Sequence, residues 1–322
     1  TQGFNFPTVY ARQKNYLNEE WKMRVLQTNL KEADLRKQVS SLYFQLEQLE
    51  QKNILLKNLD SIYQIFIDKS KLRFEKGLNN KLELAVIENN YMQLLQQINQ
   101  LNQDRVIANL EFNLLLNTES NYSVMSDQHV SISSIDTSLL AQHPEIQLLI
   151  QNLAVSKSLT QYEKSKLLPD LEIGYNVMSM RGVGADNLEY GSNLKFHSLN
   201  FGVGIPLFST AQKSRIQAAK TKELIAENEK EIGVQLIKQH VSKLVSQIQN
   251  NQQLIDYYQS VSVPNSVQMM ELASAQFQNG DIDYLEWTLL TNQAIQVQLD
   301  YFDIIKNQSI SVVELNYYLS NK

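Results

Sequence analysis

The chain has 322 residues, a formal net charge of −5, 43% hydrophobic and 20% charged residues, and no cysteine. The missing cysteine excludes a disulfide framework, a thiol nucleophile, a cysteine-based zinc site and a lipidated N-terminal cysteine within it. An acidic pI near 5.5 without any basic stripe argues against a nucleic-acid partner, because phosphate neutralisation needs clustered Lys and Arg.

Only 10 Gly and 5 Pro are present, which favours long uninterrupted helices. No run approaches the roughly 18 to 20 apolar residues of a membrane-spanning helix; insertion as strands stays open. The opening stretch, FNFPTVYARQ, reads as a strand end and a proline turn. From about Ala11 to Leu72 the pattern is helical, with Leu35, Val39, Leu42, Leu46 and Leu49 spaced 4, 3, 4, 3 as a heptad seam. A turn at Gly77 follows. The next helix repeats the 3/4 alternation through Leu84, Ile87, Tyr91, Leu94, Ile98 and Leu101, then Ala108, Phe112 and Leu115, interrupted once by Arg105. The two helices predict a long hairpin whose tip spans 74–80.

Between Asn117 and His143 the periodicity gives way to Ser, Thr, Asn and Asp, the composition of a connector. His143, Pro144 and Glu145 then start a helix of about 25 residues, since Pro suits a first helical position. After Pro169 two segments alternate. Leu171, Ile173, Tyr175 and Val177 stand against Glu172, Gly174 and Asn176, while Leu199, Phe201, Val203 and Ile205 stand against Ser198, Asn200, Gly202 and Gly204. They predict a strand pair over 170–205, each strand about 10 to 12 residues and so long enough to cross a bilayer when tilted. Beyond Pro206 a helix of more than fifty residues is expected, with Val234, Ile237, Val241, Leu244, Ile248, Ile255 and Tyr258 as its seam and a bend at Pro264. It leads to a second tip over 277–283 and a last helix to about Leu319.

The two tips are the same passage written twice. An offset of 203 places Phe74 on Phe277, Gly77 on Gly280, Leu82 on Leu285, Glu83 on Glu286, Leu84 on Trp287 and Ile87 on Leu290 without a gap. The strand exits, FNFPTVYARQ and VGIPLFSTAQ, align at 199, a difference of about one helical turn. The domain reading is therefore a first repeat over 1–117, a connector over 118–143 and a second repeat over 144–322.

Catalytic chemistry finds little footing: GxSxG, P-loop, HExxH and dinucleotide-binding patterns are all missing. No enzyme, cofactor or metal is expected. His129, His143, His197 and His240 lack metal-ligand spacing, and Met178 and Met180 read as packing residues.

The tip signature, an aromatic residue three before a Gly and an acidic residue six after it, occurs in order with LLPDLEIGYNV entering the strands and GIPLFSTAQKSRIQAAK leaving them. Together these resemble the TolC-like outer-membrane efflux proteins over most of Phe6 to Leu319. The resemblance implies a mainly α fold with a small β part: two repeats of long antiparallel coiled-coil hairpins joined to bilayer-length strands. It also implies a homotrimer in which four strands per chain close a twelve-stranded barrel above a periplasmic α-helical tunnel. Expected partners are a periplasmic adaptor protein, an inner-membrane RND or ABC-type pump and outer-membrane lipid. The function implied is a passive duct of a tripartite efflux or type I secretion system for drugs, metal ions or other small solutes. On that resemblance Glu83, Glu286 and Phe277 become gate candidates, and Phe74, Gly77 and Gly280 the tips that dock the adaptor. Ile282 and Leu289 stand where relatives carry a basic and a second acidic residue, so the usual salt-bridge latch is not expected. Two full strands and a fragment suggest a natural protein that begins further upstream, as part of a pump fusion. The alternative is a soluble periplasmic coiled-coil adaptor, which has no need of apolar strands.

Overall fold

The computed structural model describes residues 1–77, 80–119, 122, 137–193 and 195–319. Its elements are β1 (Gln2–Phe4), α1 (Pro7–Glu75), α2 (Lys81–Leu116), a 3₁₀ turn (Thr137–Gln142), α3 (Pro144–Ser165), β2 (Asp170–Ser179), β3 (Gly182–Val183), β4 (Glu189–Tyr190) and β5 (Lys195–Gly204), then α4 (Thr210–Tyr257), a π-turn (Tyr258–Ser262), α5 (Val263–Asn279) and α6 (Tyr284–Leu319). The chain is mainly helical with a small β part, in long antiparallel hairpins. The connector expected between the repeats falls largely outside the described residues, as do Leu78 and Asn79 of the first tip. Two compact units are present: Thr1–Leu30 with Ala141–Ile237, and Lys31–Leu140 with Lys238–Lys322.

The first unit carries the strands. β2 and β5 pair antiparallel from Asp170 opposite Gly204 to Ser179 opposite Lys195, and β1 adds to the other edge of β2 from Gln2 opposite Ile173 to Phe4 opposite Leu171. The register sets Leu171 against Val203, Ile173 against Phe201 and Tyr175 against Leu199. Period-2 alternation therefore gathers the apolar side chains on one face and Glu172, Gly174, Asn176, Ser198, Asn200 and Gly202 on the other. A two-residue ribbon, Gly182–Val183 with Glu189–Tyr190, stiffens the loop between them, an element the sequence pattern had not suggested.

In the same unit α3 starts where Pro144 predicts. His143 Nδ1 accepts the Glu145 backbone N–H at 3.3 Å as the N-cap. Helix α3 is then clasped on both sides by one arrangement used twice. Gln151 donates to the backbone oxygen and carboxylate of Glu19 on α1, at 2.9 and 2.7 Å. Gln212 on α4 donates to the same two groups of Glu163 on α3, both at 2.8 Å. A lysine one turn further on, Lys22 or Lys166, holds each carboxylate at 2.7 Å. These hydrogen bonds, from Lys22 and then Gln151, keep the Glu19 carboxyl below its usual range. Burial alone would raise Glu163, but the bonds from Lys166 and Gln212 outweigh it and the net shift is downward.

The second unit holds the hairpins. Leu42, Leu46 and Leu49 of the α1 seam are buried, and Val39 packs beside them, while Leu35 is 44% exposed. On α2, Ile87, Leu94, Leu101, Ala108 and Phe112 are buried, as the 3/4 spacing predicts. Arg105, the one interruption, pairs with Glu50 of α1, so its charge is answered at the seam rather than left in it. On α4, Val241, Leu244 and Ile248 are buried. The long helix after the strands runs as α4, the π-turn and α5. Pro264 sits in the first turn of α5, where its missing N–H is tolerated.

Candidate functional site

The two hairpin tips are where the duplicated sequence places its candidate residues, and both tips lie in the second unit. At the first, Gly77 takes φ +71° and donates its N–H to Phe74 O at 2.9 Å. At the second, Gly280 takes φ +86°, donating to Phe277 O at 3.2 Å while Asp281 N–H reaches Gln276 O at 2.9 Å. That pair of bonds is a Schellman ending, and its left-handed residue has to be Gly to escape a Cβ clash. No neighbouring atom lies within 4 Å of a Cβ built on either glycine; the backbone angle, not crowding, demands them.

Each return helix then opens on an identical cap. Asn80 Oδ1 accepts the Glu83 backbone N–H at 2.9 Å, and Asp283 Oδ1 accepts that of Glu286 at 2.8 Å. Both glutamates thus occupy the third helical position, where a carboxylate also favours the positive end of the helix dipole. Asn80 completes its side of the exchange by donating Nδ2 to Glu83 Oε1 at 3.3 Å. The caps keep the same offset of 203, and the pattern Asn/Asp-x-x-Glu in the sequence would have found them.

Beyond the caps the tips diverge. Phe74 is 39% exposed, whereas Phe277 is 3% exposed. Phe277 lies in an aromatic cluster with Phe66 at 5.0 Å, Trp287 at 6.0 Å and Tyr284 at 6.2 Å between ring centroids. Phe66 stacks on Trp287 at 4.2 Å, and Tyr63 meets the same indole edge-on at 5.3 Å. Trp287 is fully buried. Burial pushes the Tyr63 and Tyr284 hydroxyls up, so both stay neutral. The Arg73 guanidinium lies 5.9 Å from the Phe277 ring. Ile282 packs on this core and Leu289 is 68% exposed; neither brings a charge to the tip. Glu286 is exposed and Glu83 half-buried.

The strand unit holds the other candidate surface. On the apolar face Tyr175 is 57% exposed, Leu199 65%, Phe201 78% and Val203 64%. Met178 and Met180, expected to pack, are also exposed. Among the described residues no cluster of His, Asp and Glu could hold a metal ion, and no helix is long and apolar enough to cross a membrane.

The outer membrane efflux protein family matches residues 137–321, more than half of the chain, and the chain belongs to it. It is therefore a transport component and not an enzyme. Solved structures share the fold. The CmeC outer membrane channel of Campylobacter jejuni has a TM-score of 0.85 at 14% identity over 98% of this chain and 69% of its own. VceC, an outer membrane protein of Vibrio cholerae, has 0.82 at 13% identity over 98% and 77%. The MtrE outer membrane channel of Neisseria gonorrhoeae, solved in its open state, has 0.78 at 13% identity over 96% and 71%. No curated protein sequence matches.

Proposed function

We propose that this chain is the outer-membrane duct of a tripartite efflux or type I secretion system. Three copies close a β-barrel in the outer membrane and a helical tunnel beneath it in the periplasm. A periplasmic adaptor docks the tips at Phe74, Gly77 and Gly280, and an inner-membrane RND or ABC-type pump supplies the energy. Drugs, metal ions or other small solutes pass through without a cofactor. In a trimer Glu286 places three carboxylates around the tunnel mouth, concentrating negative field where the passage is narrowest, with Glu83 and Phe277 beside it.

The observation that carries the reading is the β2–β5 face. Ten-residue strands tilted at about 45° match the roughly 25 Å apolar band of an outer-membrane barrel. Phe201, at 78% exposure, is unusual for a soluble surface and ordinary in lipid. The opposite face is polar and small, as a water-filled lumen requires. A soluble adaptor has no use for such a sheet.

Membrane fractionation tests this. The protein is expected in the outer-membrane fraction, and Phe201→Arg is expected to reduce its integration by about 2 to 4 kcal/mol if the residue sits near the bilayer midplane. Ser198→Arg, on the other face, should leave integration nearly unchanged. Recovery of the unaltered protein only as a soluble periplasmic species would refute the reading.

A further inference from the structure

The second unit holds a cavity of about 520 Å³ between α1, α2 and α6, far along the hairpins from either tip. Its apolar lining comes from Leu42, Leu115 and Ile310. Leu42 is buried, and Leu115 packs against the hydrophobic core of the hairpins. Ser41 of α1, Glu111 of α2 and Glu314 of α6 bring polar groups to the same space. An apolar cavity of this size with a few convergent polar groups suits a small organic molecule.

The two glutamates are repeat equivalents, since the offset of 203 that aligns the tips also places Glu111 on Glu314 and Lys37 on His240. The second repeat completes this pair and the first does not. His240 Nε2 lies 3.0 Å from Glu314 Oε1. Lys37 is engaged elsewhere, its ammonium 3.7 Å from the Asp34 carboxylate on its own helix and 4.1 Å from the centre of the Tyr317 ring. Among the described residues no hydrogen bond or ion pair engages the Glu111 carboxylate. It lacks the partner that its counterpart has.

That vacancy sets the sign of charge the cavity favours. Lys37 also lines it, but its charge is already answered by Asp34, so an anion gains little there and meets two carboxylates. A cation whose body fills the apolar space does better, because its N–H groups donate charge-assisted hydrogen bonds to Glu111 while the body displaces water from around them.

We propose that the cavity between α1, α2 and α6 is a binding site for amphiphilic organic ammonium ions. The apolar body lies against Leu42, Leu115 and Ile310, and the ammonium takes at Glu111 the place that His240 takes at Glu314. The site does not rest on the duct reading, because every residue it uses lies in one unit of one chain.

Equilibrium dialysis of the purified chain in a neutral detergent, against the same detergent alone, tests the site with dansylcadaverine, a primary ammonium on an apolar fluorescent body. A single probe molecule is expected per chain, and its N-acetyl derivative, uncharged and otherwise alike, should bind at least about tenfold more weakly. Glu111 is exposed, so Glu111→Gln leaves the packing alone; it should weaken the ammonium about fivefold to tenfold and not the acetylated form. Ser41→Phe fills the cavity from the α1 side and should abolish retention of both. The proposal is overturned if the unaltered protein retains no probe, if the acetylated form binds equally well, if Glu111→Gln has no effect, or if binding survives in folded Ser41→Phe protein. Should Ser41→Phe not fold, the response of the two probes to Glu111→Gln still decides. Membrane fractionation of the unaltered protein reports on the duct separately, so either reading can fail alone.

Discussion

Glu83 and Glu286 show how one local instruction serves two surroundings. Each backbone N–H is capped by the Asn or Asp three residues earlier, but the residue after Glu83 is Leu84 and the residue after Glu286 is Trp287, which is fully buried. The indole fixes the start of α6 against α1 and leaves Glu286 turned outward, exposed. Because the cap uses the backbone of Glu286 and not its carboxylate, Glu286→Gln removes charge without removing the bond that starts the helix. The expected outcome is a clear loss of cation preference with unfolding stability nearly unchanged. It is measured as the reversal potential across a planar bilayer under a salt gradient. Unaltered selectivity would mean that the carboxylates do not ring the passage.

At the scale of elements, periodicity made most of the fold readable. The 3/4 spacing located the buried stripes of α2 residue by residue, and the period of two located both strands and the shared apolar face. What stayed hidden were contacts between side chains distant in sequence. The pairing of Phe66 with Trp287 depends on how α1 and α6 pack, and nothing near either residue announces it. The π-turn was hidden for a different reason. Pro264 announced a disturbance, but a proline in the sequence is equally compatible with a helix that kinks, stops or widens by one residue. The Gln–Glu–Lys clasps on α3 were equally unreadable, since Gln151 and Gln212 look like any solvent-facing amides. They nevertheless carry a pH signature. Glu19 and Glu163 both titrate below the usual range, so their contribution is fully present above the ordinary glutamate value of about 4.3 and is lost as pH falls through the lower folded values. The thermal midpoint is expected to drop over that acidic interval. Gln212→Ala should make the drop shallower, because the unclasped Glu163 titrates closer to its unfolded value; the same pH profile with and without Gln212 would show that the clasp contributes nothing.

At the scale of the whole molecule, the open sheet decides what the chain must do with its neighbours. Strand β1 covers β2 only between Leu171 and Ile173, and among the described residues nothing pairs with the outer edge of β5. In water such edges invite aggregation, and in lipid each unpaired N–H and C=O costs several kcal/mol. A sheet whose outward face is apolar and whose edges are bare is therefore stable in a membrane only when further strands complete it. On the duct reading, edges of neighbouring copies meet in a fixed register, and cyclic symmetry closes the ring without leaving an end. On that reading the membrane-extracted protein is expected to run at three times the mass of one chain, excluding bound detergent, by light scattering coupled to size-exclusion chromatography. Charges placed along the outer edge of β5 would be expected to lower that mass toward a single chain. A membrane-integrated species that remains monomeric would show that the edges are satisfied in some other way, and the shared-barrel reading would have to be abandoned.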